Sequence, residues 1–261
     1  MQLVANRSML FTDLPLLPRL RAAAAAGFTA VEIQFPYAVP AVQLKEELQR
    51  CGLTLVLINL PAGDLMQGGN GMACDPQARA KFANALDEAL SYALMVRPQM
   101  VNVLAGRVPA GGSRGRALAT LAANLREAAQ AFDRLGIKVL CEAINPIDMP
   151  GFLINTPEHL RNLLTEVKHS NCYAQLDVYH MARQGISTAQ ALAVLGDSVA
   201  HVQFADNPGR GEPGTGELDF VAMYQALVQA GYQGALAAEY RPTVATAQSL
   251  AWLQTPPFNQ L

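Results

Sequence analysis

The chain is poor in cysteine and has no long apolar run, and these absences exclude several classes of protein. Its four cysteines are scattered without a C-x-x-C pair, which argues against a disulfide framework and predicts a reduced, cytoplasmic protein. The N-terminus lacks a basic region followed by an apolar stretch and a cleavage site. No apolar run approaches the roughly 20 residues that a membrane helix needs. We therefore expect no membrane partner.

Charge is also scarce and nearly balanced. Charged residues make up 15% of the 261 residues, and 19 Lys and Arg stand against 21 Asp and Glu, for a net charge of −2. No basic stripe stands out along the chain, so nucleic acid is not an expected partner. The hydrophobic fraction of 51% is too high for a disordered chain and the charge too low for a coiled coil. The composition is that of a globular protein.

One local pattern recurs along the chain and indicates alternating helices and strands. A helical stretch is followed by a glycine, a large apolar residue and a strand-like run at Gly27, Gly52, Gly136 and Gly231. Such a glycine is typical of the residue that ends a helix in the left-handed conformation. The helices between strands are amphipathic, as in the segment that follows Thr156, and each must lay its apolar face on a sheet.

Eight strand-like runs, most of them followed by a helical segment, predict an α/β fold with a parallel sheet covered by helices. The runs are residues 3–8, 30–34, 54–59, 100–104, 138–142, 173–177, 199–204 and 234–239. The length of 261 residues matches the roughly 250 residues typical of a (β/α)₈ TIM barrel. No G-x-G-x-x-G follows the first run, which disfavours an open dinucleotide-binding sheet. No linker divides the chain, so we predict a single TIM-barrel domain over residues 1–261.

Polar residues end four consecutive strands of this predicted barrel, where the active site of such folds lies. They are Glu142, Asp177, Gln203 and Glu239. Three carboxylates that converge on one barrel mouth repel one another unless a cation compensates them. An all-oxygen donor set favours Mg²⁺ or Mn²⁺ over Zn²⁺. The sequence thus predicts a divalent metal ion held by these four residues.

Three further residues are expected to bind a substrate at the same mouth. His180 lies three residues beyond Asp177, where its ring can bond a substrate oxygen or support the metal ligands. Arg210 lies in a loop rich in glycine and proline, a setting that suits a carboxylate or phosphate. Asn59 opens the polar loop after the third strand. His201, two residues before Gln203, is expected to be a hydrogen-bonded core histidine.

Several motifs together resemble the hydroxypyruvate isomerase family, within the xylose-isomerase-like barrel superfamily. They are NLPAGD at 59–64, EAINPID at 142–148, PGF at 150–152, DVYH at 177–180, HVQ at 201–203 and ADNPGRGEPGTGE at 205–217. The resemblance implies a divalent metal on Glu142, Asp177, Gln203 and Glu239, with Glu142 and Glu239 as the catalytic acid/base pair. Related sugar epimerases carry histidine where this chain has Gln203, which speaks against an epimerase.

The resemblance implies an enzyme that interconverts hydroxypyruvate and tartronate semialdehyde by proton transfer through an enediolate. The alternatives are a 2-oxo-tetronate isomerase, a related ketose epimerase, and a sugar-acid binding protein that keeps the fold without catalysis. A barrel metallonuclease is disfavoured by the small number of histidines and the negative net charge. In each isomerase case the partner is a small hydroxy or oxo acid, and assembly into a homo-oligomer stays open.

Overall fold

The computed structural model describes residues 1–261, and its eight strands close into one parallel barrel in sequential order. The strands are β1 (Gln2–Asn6), β2 (Ala30–Ile33), β3 (Thr54–Asn59), β4 (Met100–Asn102), β5 (Lys138–Glu142), β6 (Cys172–Asp177), β7 (Val199–Phe204) and β8 (Ala235–Ala238). Strand β8 pairs in parallel with β1, which closes the sheet. The predicted (β/α)₈ TIM barrel is confirmed.

Eight α-helices connect successive strands and a ninth follows β8. They are α1 (Leu16–Ala25), α2 (Ala41–Cys51), α3 (Arg79–Val96), α4 (Arg114–Asp133), α5 (Pro157–Val167), α6 (Val178–Ala182), α7 (Thr188–Leu195), α8 (Phe220–Gln229) and α9 (Thr246–Ser249). A core of 70 buried residues holds the structure together. None of the helices combines the length and apolarity needed to cross a lipid bilayer.

Local sequence chemistry explains where the helices begin and end. Gly52 ends α2 with φ at 64°, a left-handed conformation that strains any side chain bearing a Cβ. Gly27, Gly136 and Gly231 also have positive φ, as predicted. The side chain of Thr156 accepts a hydrogen bond from the backbone of His159 at the start of α5. The recurring glycine pattern therefore marks real boundaries between helix and strand.

The inside of the barrel changes from apolar to polar toward the carboxyl ends of the strands. A separate cluster of eight buried apolar residues fills the lower part and includes Val4, Leu57 and Leu140. Above it lie buried polar side chains, all exposed by 2% or less: Asn6, Glu32, Asn102, Gln175, His201 and Gln203. Because these side chains need hydrogen-bond partners, they bond to one another and fix the groups at the barrel mouth.

Candidate active site

A cavity of about 460 Å³ opens at the carboxyl ends of the strands. Six of the seven residues predicted for the site line it: Asn59, Glu142, His180, Gln203, Arg210 and Glu239. The seventh, Asp177, has a side chain only 1% exposed, and it lies against His180 and Arg210. The fold therefore brings all seven predicted residues together at one end of the barrel.

Glu142 ends β5 with a side chain buried in the barrel mouth. Its Oε1 accepts a hydrogen bond of 2.8 Å from Asn102 Nδ2, which projects from the neighbouring strand β4. Burial and the nearby carboxylates of Glu239 and Asp177 raise the pKa of Glu142 to about 8. A carboxyl group with this pKa can both take up and release a proton near neutral pH.

Asp177 ends β6 and also caps the short helix α6. Its Oδ1 accepts hydrogen bonds from the backbone nitrogens of Tyr179, at 2.9 Å, and His180, at 3.4 Å. Its Oδ2 is buried without a hydrogen-bond partner. Burial raises the pKa of Asp177 above its usual value, although the Arg210 guanidinium opposes that shift. One carboxylate oxygen is thus fixed by the backbone, and the other is left without a bond.

Glu239 follows β8 directly and accepts hydrogen bonds from three side chains, each from a different part of the barrel. Its Oε1 accepts hydrogen bonds from Asn6 Nδ2 at 3.0 Å and from Gln34 Nε2 at 2.7 Å. Its Oε2 accepts a bond of 2.7 Å from Arg210 Nη2. Burial and the charge of Asp177 raise its pKa, and Arg210 works against both. Glu142 and Glu239 stand on the nonadjacent strands β5 and β8.

Gln203 lies on β7 with both ends of its amide engaged. Its Nε2 donates to Glu32 Oε1 at 2.7 Å, and its Oε1 accepts from Gln175 Nε2 at 2.6 Å. A carbonyl oxygen has two lone pairs, so the Gln203 oxygen retains one site for another ligand. This oxygen is the atom that a hard cation prefers in an amide side chain.

The hydrogen bonds around Asn145 fix the tautomer of His180. Asn145 Oδ1 accepts from the backbone nitrogens of Ile147 and Asp148, so its Nδ2 faces His180 Nδ1, at 2.7 Å. Because an amide NH₂ can only donate, Nδ1 must be the acceptor and the neutral ring carries its proton on Nε2. Burial and the charge of Arg210 lower the pKa of His180 to about 3, so the ring is neutral. Nε2 lies 3.5 Å from Asp177 Oδ2.

Asp206 organises the loop that carries Arg210. Its carboxylate accepts hydrogen bonds from the backbone nitrogens of four residues in the loop: Asn207, Gly214, Gly216 and Leu218. Arg210 itself has φ at 58°. Its guanidinium lies over the ring of Tyr179, 5.1 Å from the centroid, and 3.7 Å from Asp177 Oδ2. Burial lowers the pKa of Arg210, but the carboxylates of Glu239 and Asp177 outweigh it and raise that pKa above its usual value.

Asn59 ends β3 in the wall of the cavity. Its Oδ1 accepts a weak hydrogen bond of 3.3 Å from Asn102 Nδ2, and its backbone oxygen accepts one of 2.6 Å from Tyr37 Oη. Asn102 therefore connects Asn59 to Glu142. The side chain of Asn59 is held beside the carboxylates without contacting them directly.

The donor set at the mouth fits a divalent metal ion. Glu142, Asp177 and His180 each offer one atom within 4.8 Å of the others. Of these, His180 presents a protonated Nε2 in the hydrogen-bond arrangement described above, which makes it a donor. A nearby cation would bind the free Oδ2 of Asp177 and offset the effects of burial and like charge that raise the pKa values of the three carboxyl groups. Gln203 and Glu239 supply further oxygens.

Sequence reasoning missed several residues that contact the predicted ones. Asn6 and Asn102 are the last residues of β1 and β4. They could have been identified in the same way as Glu142, Asp177, Gln203 and Glu239, as polar residues at the carboxyl ends of strands. Gln34 lies one residue beyond β2 and bonds Glu239. Glu32, on β2, reaches the site only through other side chains and lies in none of the quoted motifs. Asn145 lies within the EAINPID motif at 142–148, but nothing in the sequence indicated that it contacts His180.

Comparison with known proteins places the chain among barrel isomerases. A hydroxypyruvate isomerase of Escherichia coli strain K12 is 37% identical over 249 residues, which cover 95% of this chain and 96% of that protein. A 2-oxo-tetronate isomerase of Cupriavidus necator is also 37% identical, over 250 residues and 96% of each chain. A crystal structure of an AP endonuclease, family 2, from Brucella melitensis superposes with a TM-score of 0.93 at 34% identity over 98% of both chains. The family model of the xylose isomerase-like TIM barrel matches residues 20–255, and the chain belongs to that family.

Proposed function

We propose that the protein is an isomerase that interconverts hydroxypyruvate and 2-hydroxy-3-oxopropanoate, also called tartronate semialdehyde, by proton transfer through an enediolate. The observation that carries this proposal is the gathering of three buried carboxyl groups at one barrel mouth, with Glu142 and Glu239 on nonadjacent strands. The relatives from E. coli and C. necator, both named isomerases, support it.

The reaction moves one proton between adjacent carbons and another between their oxygens. One glutamate removes a proton from C3 of hydroxypyruvate, and the other helps to deliver a proton to C2. Burial and neighbouring carboxylates raise the pKa values of Glu142 and Glu239 in the absence of a cation. A cation held by the same residues would lower these pKa values and favour the carboxylate form, which is the form that accepts a proton. Their positions on β5 and β8 allow them to approach a small planar intermediate from different sides.

The metal ion of this proposal is Mg²⁺ or Mn²⁺, held by Glu142, Asp177, Gln203 and Glu239. When bound, such a cation supplies positive charge that acidifies the carbon-bound proton and stabilises negative charge on the reacting oxygens. The oxygen donors and the free Asp177 Oδ2 support this choice.

His180 and Arg210 complete the substrate site. The Nε2 proton of His180 can bond a substrate oxygen and help to move a proton between the two oxygens. Arg210 uses a single nitrogen, Nη2, for both Asp177 and Glu239, which leaves Nη1 for a charge-assisted hydrogen bond to the substrate carboxylate. Asn59 forms the adjacent wall and contributes polar contacts to the same substrate.

A four-carbon substrate is the second candidate. The relative named 2-oxo-tetronate isomerase is as similar to the chain as the one named hydroxypyruvate isomerase. The cavity of about 460 Å³ is within the range of sites that take ligands larger than either acid. The proposed metal site serves both acids equally.

Parallel kinetics on the two acids test the proposal. We expect turnover of hydroxypyruvate that stops after chelation and returns with Mn²⁺, with a higher kcat/KM than for 2-oxo-tetronate. In deuterium oxide, the proton-transfer route places solvent deuterium on the reacting carbon, whereas complete absence of deuterium would indicate a hydride shift. Binding of either acid without turnover would identify a sugar-acid binding protein. Incision of DNA at abasic sites would instead support the activity named for the B. melitensis protein.

A further inference from the structure

Glu32 is a charged residue buried inside the barrel that the proposed reaction does not use. Its side chain is fully buried, and the residue does not line the cavity. Its Oε1 accepts hydrogen bonds of 2.7 Å from both Asn6 Nδ2 and Gln203 Nε2. Its Oε2 lies 2.6 Å from His201 Nε2. A buried carboxylate is costly to desolvate, and three short hydrogen bonds offset that cost.

The first branch from Glu32 sets the orientation of the Gln203 amide. A carboxylate offers only acceptors, so Gln203 must turn its NH₂ group toward Glu32. The carbonyl oxygen of Gln203 then points away from Glu32, toward Gln175 Nε2, at 2.6 Å. If this amide turned over, it would present an NH₂ group, which cannot bind a cation, in place of an oxygen.

The second branch runs through Asn6 to Glu239. Asn6 Oδ1 accepts from the backbone nitrogens of Ser8 and Met9, at 2.9 and 3.2 Å, so its NH₂ group faces the barrel. One hydrogen of that group bonds Glu32, and the other bonds Glu239 Oε1 at 3.0 Å. A single amide nitrogen therefore joins the buried carboxylate to one of the two proposed acid/base residues.

His201 anchors the other side of the Glu32 carboxylate. The two residues are both fully buried and lie on β2 and β7, across the interior of the barrel. The contact between His201 Nε2 and Glu32 Oε2 fixes the plane of the carboxylate and thus the direction of Oε1. The histidine predicted to be a core residue is therefore part of a network that ends at the site.

We propose that Glu32 is a positioning residue that orients Gln203 and Glu239 for cation binding. This inference rests on the ligand set of the proposed function. It requires an acceptor at position 32, because the two amide groups that converge there are both donors. The positioning role does not require the negative charge of Glu32, so substitutions that keep the acceptor and remove the charge can test it.

Two substitutions at position 32 separate the acceptor from the charge. Glu32→Met keeps a similar volume and removes the acceptor, so we expect Mn²⁺ affinity to fall by about 10- to 100-fold, as for other groups that orient metal ligands. Glu32→Gln keeps an oxygen for Asn6 and Gln203, and its NH₂ group can donate to His201 Nε2 when the ring carries its proton on Nδ1. We expect this variant to bind Mn²⁺ close to the wild-type affinity. Titration calorimetry with Mn²⁺ alone measures both, without reference to any substrate.

A matched control uses another buried carboxylate. Glu47 has a side chain 3% exposed and pairs with Arg21 and Arg50 on the outside of the barrel. Glu47→Met should lower the melting temperature and leave Mn²⁺ affinity unchanged. If Glu32→Met fails to fold, Asn6→Ala takes its place: it cuts the branch to Glu239, and we expect about tenfold weaker Mn²⁺ binding.

The possible outcomes distinguish this inference from the proposed function. Wild-type affinity in a folded Glu32→Met protein, or in Asn6→Ala if Glu32→Met does not fold, overturns the positioning role alone. Equal losses in Glu32→Met and Glu32→Gln also overturn it, because they assign the effect to charge. A wild-type protein that binds no Mn²⁺ overturns both the ligand set and the role of Glu32.

Discussion

Arg210 Nη2 lies 2.7 Å from Glu239 Oε2, so the proposed substrate anchor and one of the proposed acid/base residues form a partly buried ion pair. The same nitrogen lies 3.7 Å from Asp177 Oδ2. The guanidinium thus opposes the rise in pKa that burial causes in both carboxyl groups. Substrate binding and proton transfer are therefore coupled through one side chain.

Removing the charge of Arg210 should change both binding and pH dependence. In Arg210→Met we expect KM for hydroxypyruvate to rise by about 10- to 100-fold, as for a lost hydrogen bond between charged groups worth about 1.5–3 kcal/mol. The pKa of Glu239 should rise further, which moves the acid limb of the kcat/KM profile to higher pH. Arg210→Lys retains a positive charge and should keep that limb nearer the wild-type position. Unchanged profiles in both variants would contradict the coupling.

Glu239 should be required for turnover and not for folding. We expect Glu239→Gln to lower kcat by about 10²- to 10⁴-fold, the usual contribution of a general acid or base. The circular dichroism spectrum should stay unchanged, since the amide fills the same volume. Glu217→Gln, an exposed position on the nearby loop, serves as the control with normal kcat. Near-normal turnover of Glu239→Gln would remove it from the acid/base pair.

Asn145 should control which nitrogen of His180 carries the proton. In Asn145→Asp, a carboxylate faces Nδ1 and draws the proton to that nitrogen, which leaves Nε2 as an acceptor. We expect kcat to fall by at least about tenfold because the substrate oxygen loses its donor. Nitrogen-15 NMR of the histidine ring reports the tautomer directly. A ring protonated on Nε2 alone in this variant would contradict the role given to Asn145.

The pKa of Glu142 predicts a pH-dependent stability in the chelated protein. Burial and like charges raise this pKa from 4.5 to about 8, so the folded state holds a proton that the unfolded chain releases within this range. The contribution to stability is fully present below pH 4.5 and is lost as pH rises through about 8. The amide of Glu142→Gln does not titrate, so this variant does not lose stability in that way as pH rises. Urea unfolding in EDTA should show the variant gaining stability relative to the wild type as pH rises, and parallel curves would disprove the shift.

The sequence was sufficient to predict the barrel, and the residues that it singled out lie together at one end of that barrel. Glycines such as Gly52 mark helix ends by a conformation that other residues avoid. A carboxylate such as Asp177 after an apolar strand is costly to bury unless hydrogen bonds or a cation compensate it. Both signals are local in the chain. The positions of polar residues at the strand ends were therefore enough to name the four proposed oxygen donors from the sequence.

The contacts that orient these donors could not be predicted in the same way. Glu32 and Gln203 are 171 positions apart in the chain and meet only because the barrel closes. All four residues of β2 are buried, so no alternation reveals that Glu32 points inward. A register shift between Val31 and Glu32 also changes the pairing of β2 with β3. The tautomer of His180 likewise depends on Asn145, whose role follows from two backbone hydrogen bonds.

In the proposed site, one cation is held by oxygens from Glu142, Asp177, Gln203 and Glu239. Anomalous diffraction from crystals grown with Mn²⁺ tests it most directly. We expect a single strong peak at the carboxyl ends of β5 to β8, in contact with these four side chains. A peak coordinated by His180 Nε2 in place of Gln203, or located away from the barrel mouth, would contradict the account.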